Sequence, residues 1–350
     1  MGTIETPACP AVALIYDPVY LEHDTGDHPE NAARLRAAWG LLQREGILDH
    51  LTILVPYAAE REQIALVHQA SYVHAVEQMA EAGGGQLDWD TVISPGSFRA
   101  ARHASGGALR AVDAVMANEA KAAFALVRPP GHHALPQRGM GFCLFNNVAI
   151  AARYGQRRHG LERILIVDFD AHHGNGTQVA FYSDPGVLYF STHQYPFYPG
   201  SGHWEETGEG RGRGYTVNVP LPSGTGDEGF RQAFEEVLVP LARRFAPQLI
   251  LVSAGYDGHW ADPLTMMSLS VKGFAWMAGA LDSLAREHCP KKLVLVLEGG
   301  YNLEALSWSI AATLRALSGE RGFRDPLGRR ESSTDVSEAI ARAKRVHGLA

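Results

Sequence analysis

The stretch R-I-L-I-V-D-F-D-A-H-H-G-N-G (163–176) sets an apolar run directly against a dense polar cluster. Its first half, 163–170, reads as a buried β-strand. Continuous apolarity, rather than alternation, suits a parallel sheet covered on both faces. Five further stretches read the same way: AVALIY (11–16), AFALVRP (123–129), VLYFST (187–192), QLILVSAG (248–255) and KLVLVLEGG (292–300). Between them the apolar spacing predicts helices over 30–45, 60–82, 97–118, 145–158, 226–245, 271–287 and 302–317. This alternation predicts an α/β domain with an open, doubly wound, mostly parallel sheet.

Two segments break the rhythm. Residues 195–226 are rich in Gly, Pro and aromatics and too long for an idle connection, so most of them are expected to form a surface loop at a pocket mouth. Residues 319–335 read as a polar, mobile connection, and 336–350 as an amphipathic helix that packs on the body or on a second subunit. The expected division is a catalytic domain over 1–318, followed by this connection and helical tail over 319–350, with a homo-oligomer left open.

Composition narrows the function. At 350 residues with 46% hydrophobic and 20% charged side chains, the chain has an ordinary globular balance. A formal charge of -7 argues against a nucleic-acid partner, which needs clustered Lys and Arg, and is compatible with a cationic ligand. Cys9, Cys143 and Cys289 form no CxxC pair, which favours a reducing, cytoplasmic setting. The first residues lack the basic and apolar regions of a signal peptide, and their M-G-x-x-x-[ST] pattern reads as a chance match to a myristoylation site. No run reaches the roughly 18 apolar residues of a spanning helix, so a soluble protein is expected.

Polar clusters fall at the C-terminal ends of the expected strands, where open α/β sheets bind ligands. Residues i and i+2 of an extended segment share a face, so Asp168, Asp170 and His172 are all candidate ligands for a divalent ion. The plainer alternative is a polar loop whose carboxylates cap the following helix. Asp257, in S-A-G-Y-D (253–257), offers another carboxylate, or simply an N-cap. His132 and His133 follow a rigid Pro-Pro-Gly turn and suit a base and an acid. Tyr301 follows Gly299-Gly300 and either donates to an oxyanion or caps the sheet.

R-P-P-G-H-H-A (128–134), G-F-C-L-F-N-N (141–147), D-F-D-A-H-H-G-N-G-T-Q (168–178), S-A-G-Y-D (253–257) and E-G-G-Y (298–301) resemble, in order, the signature blocks of the histone deacetylase family. D-H-P-E-N-A-A-R-L (27–35) and V-H-Q-A-S-Y-V (67–73) resemble its N-terminal blocks, and the whole likeness spans roughly 11–318. H-H-G-N-G and E-G-G-Y are closer to class II and bacterial deacetylase-like amidohydrolases than to class I.

The resemblance implies the arginase/deacetylase fold, a single three-layer domain around an eight-stranded parallel sheet. It implies zinc held by Asp170, His172 and Asp257, with His132 and His133 moving protons and Tyr301 donating to the oxyanion. Asp168 becomes a partner of His132 rather than a ligand, which corrects the reading from spacing alone. Phe142 and Tyr198 would wall a narrow tunnel beside Gly141, and structural potassium would sit among Asp168, Asp170, His172, Ser191 and Thr192. Asn175 stands where class I enzymes place an Asp, so His133 should lose a proton more easily than in class I.

The function implied is zinc-dependent removal of acetyl or another short acyl group from acyl-lysine or related amines. An acetylpolyamine deacetylase and a catalytically silent acyl-lysine binder are the alternatives. Leu264 stands where polyamine-selective relatives carry a glutamate, and Asp90 lies near where relatives bind the substrate backbone.

Overall fold

The computed structural model describes residues 12–289, 292–320 and 322–349. Cys9 and the Met-Gly pattern lie outside them. The strands in chain order are β1 (Val12–Ile15), β2 (Thr52–Leu54), β3 (Gly85–Asp88), β4 (Thr91–Ile93), β5 (Ala122–Ala125), β6 (Ile164–Asp168), β7 (Val187–Gln194), β8 (Thr216–Leu221), β9 (Leu249–Ala254) and β10 (Leu293–Leu297). Eight of them form one sheet in the order β2-β1-β5-β10-β9-β6-β7-β8, and every neighbouring pair is parallel. β3 and β4 form a separate antiparallel hairpin.

The six expected strands are all present, and the central ones are buried along their whole length because helices cover both faces. Complete burial of each Val, Leu or Ile stabilises by about 1.5–3 kcal/mol. The parallel order aligns the C-terminal ends of β5, β10, β9 and β6 side by side. Consequently the loops carrying His132 and His133, Tyr301, Asp257 and Asp170 open on one edge of the sheet.

Several expectations need correction. Within 195–226, Thr216–Leu221 is a fully buried edge strand rather than loop; Pro220 is tolerated there because an edge strand has free N–H positions. The helix expected over 60–82 is two, Arg61–Ile64 and Ala70–Glu81. They are parted at Gln69, whose extended backbone gives its N–H to Pro136 O. The helix over 226–245 contains a π turn at Phe234–Leu238. Pro240 follows at the start of the next α-helical turn and cannot donate the backbone hydrogen bond there. A further short helix, Asn175–Phe181, starts inside the polar cluster.

The tail helix Ser337–Val346 packs on the body, against β8 and the π turn. Ile340 and Ala343 are buried, Lys344 pairs with Glu236, and the Arg342 guanidinium lies 4.4 Å from the Trp204 ring centroid. The preceding connection is tied down as well, with Trp260 Nε1 donating to Gly328 O and Ser332 Oγ to Gly224 O.

Candidate metal centre and catalytic pocket

β6 ends at Asp168, and the chain then turns so that Asp170 and His172 face the end of β9. Asp170, His172 and Asp257 each present a ligand atom, all within 4.8 Å of one another. His172 Nδ1 lies 2.9 Å from Asp257 Oδ2 and 3.1 Å from Asp170 Oδ1. Backbone donors hold the outer carboxylate oxygens: Ala171 N to Asp257 Oδ1 at 2.9 Å, and Gly299 N to Asp170 Oδ2 at 2.9 Å. A Cβ at Gly299 would stand 2.5 Å from Asp257 Oδ2 and 2.6 Å from Asp170 Oδ2, so any larger residue would push these carboxylates out of place.

The donor set fits a divalent transition metal. Asp170 and Asp257 are buried, and among the described residues neither meets Lys or Arg. Two buried carboxylates without a fixed cation are costly. Burial alone would lower the His172 pKa, but Asp257 and Asp170 outweigh it and raise it to about 10. Two carboxylates and one imidazole brought this close are a donor set of the kind that holds a divalent ion.

Two histidines stand beside this triad with opposite proton affinities. His132 Nδ1 donates to Asp168 Oδ2 at 3.0 Å, and the same oxygen accepts from the Tyr189 hydroxyl at 3.1 Å. Burial disfavours imidazolium at His132, yet Asp168 and Asp170 raise its pKa to about 10. His133 sits 4.0 Å away, ring to ring, with Nδ1 2.8 Å from Asn175 Oδ1. Burial first, then the His132 and His172 rings, hold its pKa well below the usual histidine value. Asp168 thus meets His132 and is not one of the three clustered residues Asp170, His172 and Asp257. Glu298 anchors the loop carrying both rings, accepting from Gly131 N at 2.6 Å and His132 N at 3.2 Å while Ser253 Oγ donates to its other oxygen.

Tyr301 lies just beyond the end of β10. Its ring meets Phe142 edge-on at 5.7 Å, and the Arg34 guanidinium lies 5.0 Å from its centroid. Burial raises the phenol pKa well above 10 despite Arg34, so the hydroxyl is a neutral donor. Arg34 itself is fully buried, donating to Gly300 O at 2.7 Å, Glu298 O at 2.5 Å and Glu30 Oε1 at 3.0 Å.

Phe142 holds φ 69°, a costly conformation for an aromatic residue. The β3–β4 hairpin fixes it: Asp90 Oδ1 accepts from Gly141 N at 3.2 Å, and Thr91 Oγ1 from Phe142 N at 3.1 Å. Asp90 therefore supports the Gly141–Phe142 turn. Tyr198 lies edge-on to His133 at 5.2 Å, while Phe197, not anticipated from sequence, stacks on His172 at 5.3 Å and 26°. His28, also unanticipated, meets Phe142 edge-on at 4.5 Å. Leu264 is half-buried, its N–H bonded to Asp262 Oδ1 at 3.0 Å. Ser191 Oγ is 2.9 Å from His193 Nδ1, and Thr192 Oγ1 is buried without a partner among the described residues.

Known proteins resemble this chain over most of its length. The histone deacetylase domain family matches residues 28–317. A probable deacetylase of Archaeoglobus fulgidus is 45% identical over 87% of this chain and 86% of its own length. A histone deacetylase-like amidohydrolase of Pseudomonas aeruginosa is 42% identical over 86% of this chain and 79% of its own. The crystal structure of the HDA15 HD domain superposes with a TM-score of 0.90 at 34% identity, covering 97% of this chain and 95% of that one. The eight-stranded parallel sheet between helical layers is thus the arginase/deacetylase fold. The chain belongs to the histone deacetylase family and carries a deacetylase domain over most of its length.

Proposed function

We propose that this chain is a zinc-dependent hydrolase that removes acetyl or another short acyl group from acyl-lysine side chains. The observation that carries the reading is the convergence of Asp170, His172 and Asp257 beside the paired rings of His132 and His133. Zinc, when held by those three residues, supplies a Lewis acid that polarises the acyl carbonyl and acidifies a bound water.

The chain's own groups do the rest. The Asn175 carbonyl takes the Nδ1–H of His133, leaving Nε2 as an acceptor that removes a proton from the attacking water. His132 stays protonated against Asp168 and lends positive charge to the site. The Tyr301 phenol donates to the oxygen that becomes negative as the carbonyl is attacked. His133, now imidazolium, returns its proton to the leaving amine nitrogen, and the C–N bond breaks.

Leu264 at the rim offers apolar contact and no charge to a distal ammonium, which favours acyl-lysine over acetylpolyamines. Potassium among Asp168, Asp170, His172, Ser191 and Thr192 accords with the unpartnered Thr192 hydroxyl. A cytoplasmic setting accords with the free thiols of Cys143 and Cys289. Among the described residues no helix is long and apolar enough to cross a membrane. The test is a deacylation screen of the purified, zinc-loaded protein against acetyl-lysine peptides and acetylpolyamines. Faster acetate release from the peptides supports this reading, and turnover of acetylpolyamines alone replaces it with the small-molecule alternative.

A further inference from the structure

Tyr301 sits on an inherently loose piece of chain. Gly299 and Gly300 precede it, Gly300 at φ 121°, and the next helix starts only at Leu303. Regular structure therefore does not fix the Tyr301 backbone. From one side Arg34 holds the carbonyls of Glu298 and Gly300. From the other, the Asp262 carboxylate takes the N–H groups: Oδ2 accepts from Tyr301 N at 2.7 Å and from Asn302 N at 3.2 Å. Asn302 Nδ2 returns a bond to Ala261 O at 3.0 Å, while its Oδ1 caps the helix at Ala305 N. Asp262 is 7% exposed and forms no ion pair with Lys or Arg among the described residues, so these backbone donors are what satisfy it.

The second oxygen of the same carboxylate holds its own loop, where Oδ1 accepts from Leu264 N at 3.0 Å. Thr265, next in that loop, donates its hydroxyl to the backbone oxygen of Asp257. A single buried carboxylate thus spans the turn that presents Tyr301 and the loop that presents Leu264.

We propose that Asp262 is a positioning residue that holds Tyr301 in register with the rim, a role that rests on the reading of Tyr301 as oxyanion donor. Its contribution to rate passes through Tyr301, because its oxygens point at backbone donors rather than at substrate. A donor placed an ångström off loses most of its effect on the transition state.

The test measures kcat, KM and zinc content of the full-length protein with an acetyl-lysine peptide, in Asp262→Ala, Asp262→Asn, Tyr301→Phe and the Asp262→Ala/Tyr301→Phe double variant. Asp262→Ala is expected to lower kcat on the order of 10- to 100-fold with zinc content unchanged. Asp262→Asn, which keeps one acceptor oxygen for Tyr301 and Asn302, should recover most of kcat but raise KM as Leu264 is released. In the Tyr301→Phe background, Asp262→Ala should change kcat less than threefold, since the positioned hydroxyl is already gone. Should Asp262→Ala not fold, Asp262→Thr fills more of the same volume and gives the same comparison. Full multiplication of the two losses, or an unchanged kcat in Asp262→Ala beside a large loss in Tyr301→Phe, overturns the positioning role alone. A loss under twofold in Tyr301→Phe removes the Tyr301 reading and this role with it.

Discussion

His133 Nδ1 lies 2.8 Å from Asn175 Oδ1, an amide contact where a carboxylate would stabilise imidazolium far more. Burial first, then the His132 and His172 rings, keep His133 an unprotonated acceptor, and the hydrogen bond to the Asn175 amide opposes them without overturning them. Asn175→Asp should therefore raise the His133 pKa. A base that gains a proton at higher pH loses activity at higher pH, so the acid limb of the kcat/KM profile should move up by about one unit. An acid limb that stays put or moves down is inconsistent with His133 as the base.

Tyr301→Phe should fold and bind zinc normally yet lose on the order of 10²–10³ in kcat. The ring contacts with Phe142 and Arg34 do not involve the hydroxyl, so packing is preserved. A kcat within twofold of wild type on an acetyl-lysine substrate would falsify the oxyanion role.

Leu264 sets the third expectation. A polyamine brings a distal ammonium that sheds water at the rim, and leucine returns nothing for it, whereas glutamate contributes about 1 kcal/mol. Leu264→Glu should raise kcat/KM for N8-acetylspermidine severalfold, lower it for an uncharged acetyl-lysine peptide, and lose that contrast in added salt. Wild-type preference for the acetylpolyamine, unaltered by Leu264→Glu, speaks for the small-molecule reading.

His68 links the fold to pH. Its Nδ1 lies 3.0 Å from Leu135 O, and its Nε2 accepts from Asn146 N at 2.8 Å, so the ring is locked neutral beneath the G-F-C-L-F-N-N turn. Burial lowers its pKa from 6.5 to about 4. As pH falls the unfolded chain takes up this proton first. The stabilisation is thus complete above pH 6.5 and is lost as pH falls through 4, a change of about 3 kcal/mol. Urea unfolding at a series of pH values should show wild type losing that much more than His68→Gln across this window. A constant gap between the two proteins contradicts the locked tautomer.

Much of this was readable from the chain because buried parallel strands are continuous apolar runs, and their ends are where charges gather. Asp170 and His172 stand two residues apart, so their joint presentation follows from local spacing. Asp257 lies 85 residues beyond His172 and joins them only because β6 and β9 are neighbours. β8 stayed hidden because Asn218 and Pro220 interrupt its apolar pattern, which an edge position permits. Arg34 and Asp262 were missed for a different reason. Their bonds go to backbone groups 266 and 39 residues away, and no residue type or local period records a backbone partner.

The central claim is that acyl transfer to water depends on zinc held by Asp170, His172 and Asp257. The direct measurement is acetate release from an acetyl-lysine peptide, followed with zinc content per chain, for wild type as purified, after chelation, after zinc return, and for Asp257→Ala. The expected result is about one zinc per chain in wild type, activity lost on chelation and regained with zinc, and Asp257→Ala with far less zinc and no recovery. Full zinc content and activity in Asp257→Ala, or undiminished turnover in chelated wild type, would contradict the account.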